Sequence, residues 1–239
     1  MERQFDAASP ELMDRPQPVN EDLRGALRDL AWLNRHLGAN RVVWSRVRHL
    51  FHRGSPLRGL DLATGGADIP RFLADAARKG GCPLEIDAVD FHPATLELAR
   101  GFSTDYPEIT FHQGDARNWS GERPYNLILC TLALHHFSET DAIAVLRNLA
   151  ILAAGQAQIV LLDLERSRLN AFLIWLLTGT LIRTPMTVQD ARTSIRAAFT
   201  AAELTRLATA AGWRNFTVRR IFPARLILEA PSSPSAPSP

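Results

Sequence analysis

Apolar runs alternate with helical patterns through the middle of the chain. The runs are short enough for buried strands and lie at Gly59–Leu62, Glu85–Val89, Ile109–Gln113, Tyr125–Thr131 and Ala157–Asp163. Patterns typical of helices lie between or after them, at Pro70–Lys79, Pro93–Phe102 and Ser138–Ala153. This alternation predicts an α/β fold in which helices cover a parallel sheet.

The pattern changes after the fifth apolar run. An apolar helix is predicted at Leu169–Ile182, and a polar stretch at Thr184–Ser194 separates it from a helix at Thr200–Ala211. Phe216–Phe222 and Arg225–Glu229 follow as two strands, and only two residues connect them, which predicts a hairpin. The sheet should therefore be doubly wound, seven-stranded and mostly parallel, with a C-terminal antiparallel hairpin.

Two helices are predicted before the first strand. Leucines between Glu21 and Phe51 recur at helical spacing, and Gly38 with Asn40 marks a break between the two helices. Residues 1–20 contain three prolines and scattered charges, so we expect little regular structure there.

Composition narrows the class of protein. With 239 residues, 46% of them hydrophobic, the chain can bury one sizeable α/β core. A formal charge of +2 gives no strong field for attracting a polyanion, so nucleic acid is not expected as a partner.

Cysteines and the N-terminus bear on metal binding and location. Cys82 and Cys130 lack the spacing of a zinc site or a disulfide framework, so no bound metal is expected. The charged N-terminus does not resemble a secretory signal, so we expect a cytoplasmic protein. Ala171–Ile182 is shorter than the roughly 20 residues of a membrane-spanning helix, which favours a buried or interfacial helix.

Acidic residues follow three consecutive predicted strands. Asp61 begins a turn of small residues that lets ligand atoms approach the backbone. Asp90 ends the next strand, where a carboxylate can accept hydrogen bonds from both ribose hydroxyls, and Asp115 follows the third strand, where it can meet an adenine amino group. Each has an alternative reading, because Asp61 and Asp115 could cap helices and Asp90 could begin an Asx turn.

Four segments, LDLATGGAD, VDFHP, QGDA and LILCTLALHHF, resemble successive motifs of class I S-adenosylmethionine (SAM)-dependent methyltransferases over about residues 57–166. The resemblance implies a Rossmann-like fold with SAM as cofactor. It implies further that Asp61 and the turn face the methionine part of SAM, Asp90 the ribose, and Asp115 the adenine, with Phe91 packed on the adenine ring. The implied cofactor site comprises Asp61, Ala63, Thr64, Gly65, Gly66, Asp90, Phe91, Asp115, Ala116 and Thr131.

The turn departs from the family pattern. The usual Gly-x-Gly-x-Gly reads Ala63-Thr64-Gly65-Gly66-Ala67, and alanine is tolerable there if neither position needs a positive φ. The same departure counts against a nicotinamide dehydrogenase, whose pyrophosphate needs the glycine-rich turn to approach a helix N-terminus.

Two adjacent histidines follow the fourth strand. In an extended segment neighbouring side chains point to opposite sides, so at most one of His135 and His136 should face the substrate. Methyl transfer to a hydroxyl is assisted by a base, and histidine suits that task near neutral pH. The resemblance to small-molecule methyltransferases implies His135 as this base and Asp163 as its acidic partner. The alternative is that the histidines bond to loop backbone and that Asp163 caps the next segment.

The family often places its substrate-recognising element after the fifth strand. Here that block, 167–198, is apolar in its first half, which predicts a small apolar acceptor, although an ordinary core helix would look the same. Arg166, Arg168 and Arg183 around it also allow peripheral membrane contact through 169–183. The expected divisions are an arm and helical cap at 1–56, a SAM-binding core at 57–166, the insertion or lid at 167–198, the last helix and hairpin at 199–230, and a disordered tail at 231–239.

The predicted activity is methyl transfer from SAM to a hydroxyl or carbon of a phenolic, polyketide or quinone-like acceptor. The arm, the GGADIP turn and SIRAAFTAAEL resemble bacterial methyltransferases encoded beside type III polyketide synthases, which implies a phenolic or alkyl-pyrone acceptor. The alternative is a protein that keeps the nucleoside-binding cleft as a non-catalytic binder or scaffold.

Overall fold

A computed structural model of the chain describes residues 1–154, 156–182 and 184–230. The predicted tail at 231–239 and Arg183 lie outside the described residues. The strands are β1 (Leu57–Leu62), β2 (Leu84–Asp90), β3 (Ile109–Gln113), β4 (Leu127–Thr131), β5 (Gln158–Leu164), β6 (Thr217–Ile221) and β7 (Arg225–Ala230). The α-helices are α1 (Glu21–His36), α2 (Ala39–Val47), α3 (Asp68–Gly80), α4 (Pro93–Phe102), α5 (Glu139–Ala153), α6 (Arg168–Thr180), α7 (Pro185–Ala197) and α8 (Ala201–Ala210).

The strands form one sheet in the order β3-β2-β1-β4-β5-β7-β6. The first five pair in parallel, whereas β7 is antiparallel to both β5 and β6. The predicted fold class, a mostly parallel seven-stranded sheet with a C-terminal antiparallel hairpin, is confirmed. The strand order reverses between β1 and β4, and in open α/β sheets ligands bind beyond the carboxyl ends of the strands at such a point.

Alternate side chains of the central strands enter two apolar layers. Leu161 packs with the layer under α5 and α8, while its neighbours Val160 and Leu162 pack with the layer under α2 and α3. Strands that are covered on both faces must be apolar on both faces, which explains why their sequences are continuous apolar runs. Within the described ranges, no helix is both long and apolar enough to cross a bilayer.

The helix α7 corrects the sequence analysis, which assigned Thr184–Ser194 only as a polar stretch. Three of its five buried residues, Thr187, Asp190 and Ser194, are polar, and the other two are Ile195 and Ala197 near its C-terminal end. The Asp190 carboxylate accepts the backbone N–H groups of Leu12 and Met13, at 2.8 and 3.0 Å. The inward face of α7 therefore binds the N-terminal arm through hydrogen bonds and lacks the apolar periodicity that reveals most helices.

Candidate active site

A cavity of about 620 Å³ opens beyond the carboxyl ends of β1, β2, β4 and β5. This volume lies within the usual range for small-molecule sites. The N-terminal arm, α1, α6 and α7 close it on the other sides. Nine of the predicted cofactor residues line it: Ala63, Thr64, Gly65, Gly66, Asp90, Phe91, Asp115, Ala116 and Thr131. The tenth, Asp61, is not among the lining residues.

The turn after β1 is left-handed at three positions. Ala63 and Ala67 have φ of +56°, and Gly65 has φ of +54°. The condition under which alanine would be tolerated without strain at these two positions is therefore not met. An L-residue in this region carries about 1–2 kcal/mol of steric cost that glycine escapes, so the turn keeps the family's backbone shape at a cost in stability.

Asp61 lies beneath this turn and is 1% exposed. Its Oδ2 accepts the hydroxyl of Thr64 at 2.7 Å, whereas its Oδ1 has no hydrogen-bond partner among the described residues. Burial raises the pKa of Asp61 to about 7, and the nearby carboxylates of Asp68 and Asp90 add to that effect against the Thr64 hydrogen bond. A buried carboxyl with an unpaired oxygen is suited to a cationic or hydrogen-bond-donating ligand.

The Asp90 carboxylate connects the loops that follow β1 and β2 through hydrogen bonds to their backbone. Its Oδ2 accepts the N–H of Gly65 at 2.8 Å and its Oδ1 accepts the N–H of His92 at 3.0 Å. The second bond is the Asx-type contact that the sequence left open, so Asp90 shapes the loop as well as facing the cavity. Burial raises its pKa against these two backbone hydrogen bonds. The neighbouring Phe91 ring lines the cavity and is 59% exposed, as a face for stacking requires.

Asp115 lines the cavity but is already paired. Nε and Nη2 of Arg117 contact the two carboxylate oxygens of Asp115, and the third nitrogen, Nη1, donates to Asp141 at 3.0 Å. These hydrogen bonds lower the pKa of Asp115 despite partial burial. The Asp115 carboxylate can therefore serve a ligand only through lone pairs that Arg117 leaves free.

His135 and Asp163 form a buried pair. The Nδ1 atom of His135 lies 2.5 Å from Oδ1 of Asp163, and the backbone N–H of His135 donates to Oδ2 at 2.9 Å. An ionised carboxylate only accepts, so Nδ1 carries the proton and Nε2 is left as the acceptor. Of the two residues, His135 lines the cavity and Asp163 stands behind it.

The two histidines do not point to opposite sides, contrary to the sequence analysis. Leu134–His136 is a turn of 3₁₀ helix, not an extended segment, and the two imidazole centroids are 4.2 Å apart. Both residues line the cavity. The tight turn rotates successive side chains by about a third of a revolution rather than a half.

The N-terminal arm brings two carboxylates to these histidines, which sequence reasoning missed. Oε1 of Glu11 lies 4.0 Å from Nε2 of His135, and Oδ2 of Asp14 lies 2.5 Å from Nδ1 of His136. Burial opposes a charge on His136, but Glu11 and Asp14 outweigh it and raise its pKa to about 10. No helical or strand periodicity marks the arm, so only its docking to α7 reveals these contacts.

Glu11, His135 and His136 are also the described residues that could hold a metal ion, since their ligand atoms lie within 4.8 Å of one another. The contacts present argue against one. The carboxylates of Glu11 and Asp14 raise the pKa of His136, so a cation would have to displace its proton, which disfavours binding near neutral pH. The absence of a metal stays a prediction.

Apolar side chains form another part of the cavity lining. Leu30, Leu33 and Leu37 of α1 and Ile174 and Leu177 of α6 belong to it. The lining therefore combines the residues that follow β1, β2 and β3 with the His135 imidazole and apolar side chains of α1 and α6.

Part of the chain that forms this site matches a known protein family. Residues 60–156 match the sequence model of a family described as a methyltransferase domain. No curated protein sequence matches the chain significantly. The resemblance stated from the motifs is thus confirmed for this domain.

Solved structures share the fold over most of the chain. A SAM-dependent methyltransferase from Aquifex aeolicus is 14% identical with a TM-score of 0.62, over 87% of this chain and 97% of its own. Human N-acetylserotonin methyltransferase in complex with SAM is 14% identical with a TM-score of 0.63, over 90% of this chain. Magnesium protoporphyrin IX methyltransferase from Synechocystis PCC 6803, with bound SAH, is 18% identical with a TM-score of 0.55, over 91% of this chain and 90% of its own. This chain spans only 56% of the human enzyme.

Proposed function

We propose that this chain, whose residues 60–156 match a methyltransferase-domain model, transfers a methyl group from SAM to a hydroxyl, or a carbon, of a small apolar acceptor. The supporting observation is that one cavity connects the Asp90 and Phe91 end to the buried His135–Asp163 pair. A donor nucleoside and an acceptor could therefore meet next to a base. Two unpaired cysteines, Cys82 and Cys130, fit a reducing compartment such as the cytoplasm.

The residues at the ends of β1 and β2 fit SAM. The Asp90 carboxylate has lone pairs left for ribose hydroxyls, and the Phe91 ring is exposed for an adenine. The unpartnered Oδ1 of Asp61 and the left-handed turn at Ala63 and Gly65 leave polar capacity and room for the amino-acid part. When bound, SAM supplies an electrophilic methyl group on a sulfonium.

His135 is suited to remove the acceptor proton. Asp163 holds Nδ1–H, so the free Nε2 would be able to accept the proton of an acceptor hydroxyl held in the cavity. The imidazolium that forms has the carboxylates of Asp163 and Glu11 beside it, which stabilise its charge. Arg3 donates to the carbonyls of His135 and Phe137, at 3.2 and 2.7 Å, and fixes this turn.

The acceptor class is inferred from the apolar side chains that line the same cavity as His135. Leucines of α1 and apolar residues of α6 would pack on an alkyl or aromatic body, while a hydroxyl meets the base. A phenolic or pyrone compound with an apolar substituent fits this division, as the resemblance to polyketide-associated methyltransferases implies. Incubation with labelled SAM and matched sets of phenols, quinones and pyrones tests it. Labelling only of acceptors without any apolar substituent would contradict this assignment.

The alternative is a catalytically silent nucleoside binder. A protein with that role alone has no need for the His135–Asp163 pair, whose atoms lie 2.5 Å apart beside the cavity. Labelling of no acceptor, together with tight binding of SAM, would favour the alternative.

Calorimetry with S-adenosylhomocysteine (SAH) tests the cofactor site. Asp90→Ala should weaken binding by about 10- to 100-fold, because ribose hydroxyls lose a charged partner. Asp105→Ala, which removes an exposed carboxylate near α4, is the control and should bind like the wild type. Equal affinity of Asp90→Ala and wild type would remove the ribose assignment.

The outer face of α6 supports the membrane contact predicted for 169–183. Leu169, Phe172, Trp175 and Leu176 are each at least 46% exposed, and Ile174 and Leu177 on the opposite side line the cavity. Exposed Arg168 precedes them, and Arg192 of α7 donates to Thr178 of α6 at 3.3 Å. Arg192 and Arg196 also line a shallow groove on α7.

Charge favours an anionic bilayer over a second copy of the chain as the occupant. Asp190 is the single acidic residue in 168–197, and it is buried. A twofold dimer through α6 and α7 would bring arginines together with no exposed carboxylate of either helix to pair with them. A bilayer surface offers apolar chains for Phe172 and Trp175 and phosphates for the arginines.

Co-sedimentation with phosphatidylglycerol vesicles tests this contact. Phe172→Ser with Trp175→Ser should lower partitioning at least about tenfold, since two large apolar groups lose their burial. Ile151→Ser with Phe222→Ser removes two comparably exposed apolar residues outside α6 and is the control. Unchanged partitioning of the α6 variant, or a wild type that dimerises through α6 and ignores vesicles, would refute it.

A further inference from the structure

Arg225 stands at the start of β7 as part of the cavity wall. Its side chain is buried, with 5% of the residue exposed. One terminal nitrogen, Nη1, donates to the carbonyl of Leu37 at 2.8 Å and more weakly to that of Pro223 at 3.5 Å. Its Nε is inaccessible to solvent and has no hydrogen-bond partner among the described residues.

No carboxylate neutralises this guanidinium. In the described ranges, no Asp or Glu oxygen lies within 4.0 Å of Arg225, and the residues outside them (155, 183 and 231–239) include no Asp or Glu. Burial is the cause that lowers the pKa of Arg225, to about 10. By contrast Arg166, which is also 5% exposed, pairs with Glu203 at 2.6 Å.

A buried unpaired charge destabilises a fold unless it has a use. Leu37 caps the C-terminus of α1, whose dipole supplies about half a negative charge, and this offsets the cation only in part. A guanidinium has five N–H donors, and carbonyls occupy few of them here. From the burial, the missing counter-charge and the place in the cavity wall, we propose that Arg225 binds a carboxylate of a ligand in this cavity.

The position of Arg225 leaves two sources for that carboxylate. Three inter-strand spacings, about 14 Å in all, separate β7 from β1, although an arginine side chain bridges part of that distance. The carboxylate is either the amino-acid end of SAM, which rests on the proposed function, or an acidic group on the apolar acceptor. Leu37 accepts a hydrogen bond from Arg225 and Leu164 is its partner across the sheet, and both line the cavity, which suits an apolar body attached to the acid.

Paired probes that differ in the carboxylate distinguish the sources. SAH is compared with 5′-methylthioadenosine, which lacks the amino-acid end, and decanoate with decanol. Arg225→Gln should weaken SAH or decanoate at least about tenfold while methylthioadenosine and decanol bind as before. Arg225→Lys keeps the charge without the planar fork and should fall between wild type and Arg225→Gln.

Thermal unfolding separates this role from a structural one. Without ligand, Arg225→Gln should melt at the wild-type temperature or above it, because an uncompensated charge is removed. Arg166→Gln, which breaks a buried pair outside the cavity, is the control: it should melt lower and leave the ratio of SAH to methylthioadenosine affinity unchanged. In the wild type, the probe that uses Arg225 should raise the melting temperature more than its uncharged counterpart does.

Several results would overturn the proposal. Three results for Arg225→Gln would do so. The first is affinity for both carboxylate probes within twofold of wild type, and the second is equal weakening of methylthioadenosine and decanol. The third is a large loss of ligand-free stability with no change in probe selectivity. If the wild type binds neither SAH nor methylthioadenosine, only the proposed function is refuted, because selective binding of decanoate would still support the Arg225 site. If the wild type prefers neither SAH over methylthioadenosine nor decanoate over decanol, the Arg225 site is refuted.

Discussion

Asp61→Asn tests whether the buried carboxyl under the β1 turn opposes folding when it ionises. Burial raises its pKa from the ordinary 3.8 to about 7. Because the pKa of Asp61 is higher in the folded state than in the unfolded state, its contribution to the free energy of unfolding is greatest below about pH 3.8. That contribution is lost as the pH rises toward 7. At about 1.4 kcal/mol per pH unit, the loss between pH 5 and pH 8 is about 3 kcal/mol.

Asparagine cannot ionise, so the variant should escape this loss. Its amide can still accept the Thr64 hydroxyl, and any cost of the unpaired amide N–H is the same at every pH. For a chain of this size 1 kcal/mol corresponds to about 2–4 °C, so the melting temperature of the variant relative to wild type should rise by about 5–10 °C from pH 5 to pH 8.

Thermal unfolding of ligand-free protein at four pH values measures this difference. Glu97→Gln makes the same change at an exposed carboxyl of α4 and should follow the wild type throughout. Parallel curves for Asp61→Asn and wild type would show that Asp61 does not titrate in this range. If the ammonium group of SAH binds beside Asp61, it lowers the pKa of Asp61, so SAH binding near pH 7 should also release protons, which calorimetry in two buffers detects.

Three further outcomes are expected. His135→Ala should lower the maximal rate on a hydroxyl acceptor about 10²- to 10⁴-fold and leave SAH affinity within twofold, and loss of SAH binding would make His135 structural. Ala63→Gly should raise the free energy of unfolding by about 0.5–1 kcal/mol in denaturant titrations, because it relieves the strain of a positive φ. Ala67→Gly relieves the same strain but also loses a fully buried methyl group, so its effect should be close to zero. EDTA should leave activity unchanged, because His136 carries a proton where a metal would bind, and restoration of lost activity by zinc would contradict this.

The fold was predictable where burial alone decides the sequence. The five parallel strands are apolar on both faces, and their predicted bounds lie within two residues of those in the structure. The helix α7 was not predictable in this way, because Asp190 and Ser194 face inward to hydrogen-bond the arm. A helix whose partner is polar backbone has no apolar stripe to detect.

In the candidate site, too, some features could be predicted from the sequence and others could not. Asp90 and Asp115 follow strands, so chain order alone places them at one sheet edge. The pairing of Asp115 with Arg117 and the left-handed Ala63 depend on loop geometry that residue type does not report. Glu11 is 124 residues from His135 in sequence, and only the docked arm brings them together.

The docked N-terminal arm affects how an acceptor could reach the cavity during a catalytic cycle. Because residues 11–14 both cover the cavity and supply carboxylates to the histidine pair, the arrangement that excludes water is the same one that completes the electrostatic environment of the base. An acceptor that entered past residues 11–14 would separate Glu11 and Asp14 from the two histidines until the arm docked again. The hydrogen bonds of Asp190 and Ser194 to residues 11–13 would then break and form again in each cycle, so these two side chains of α7 would influence turnover.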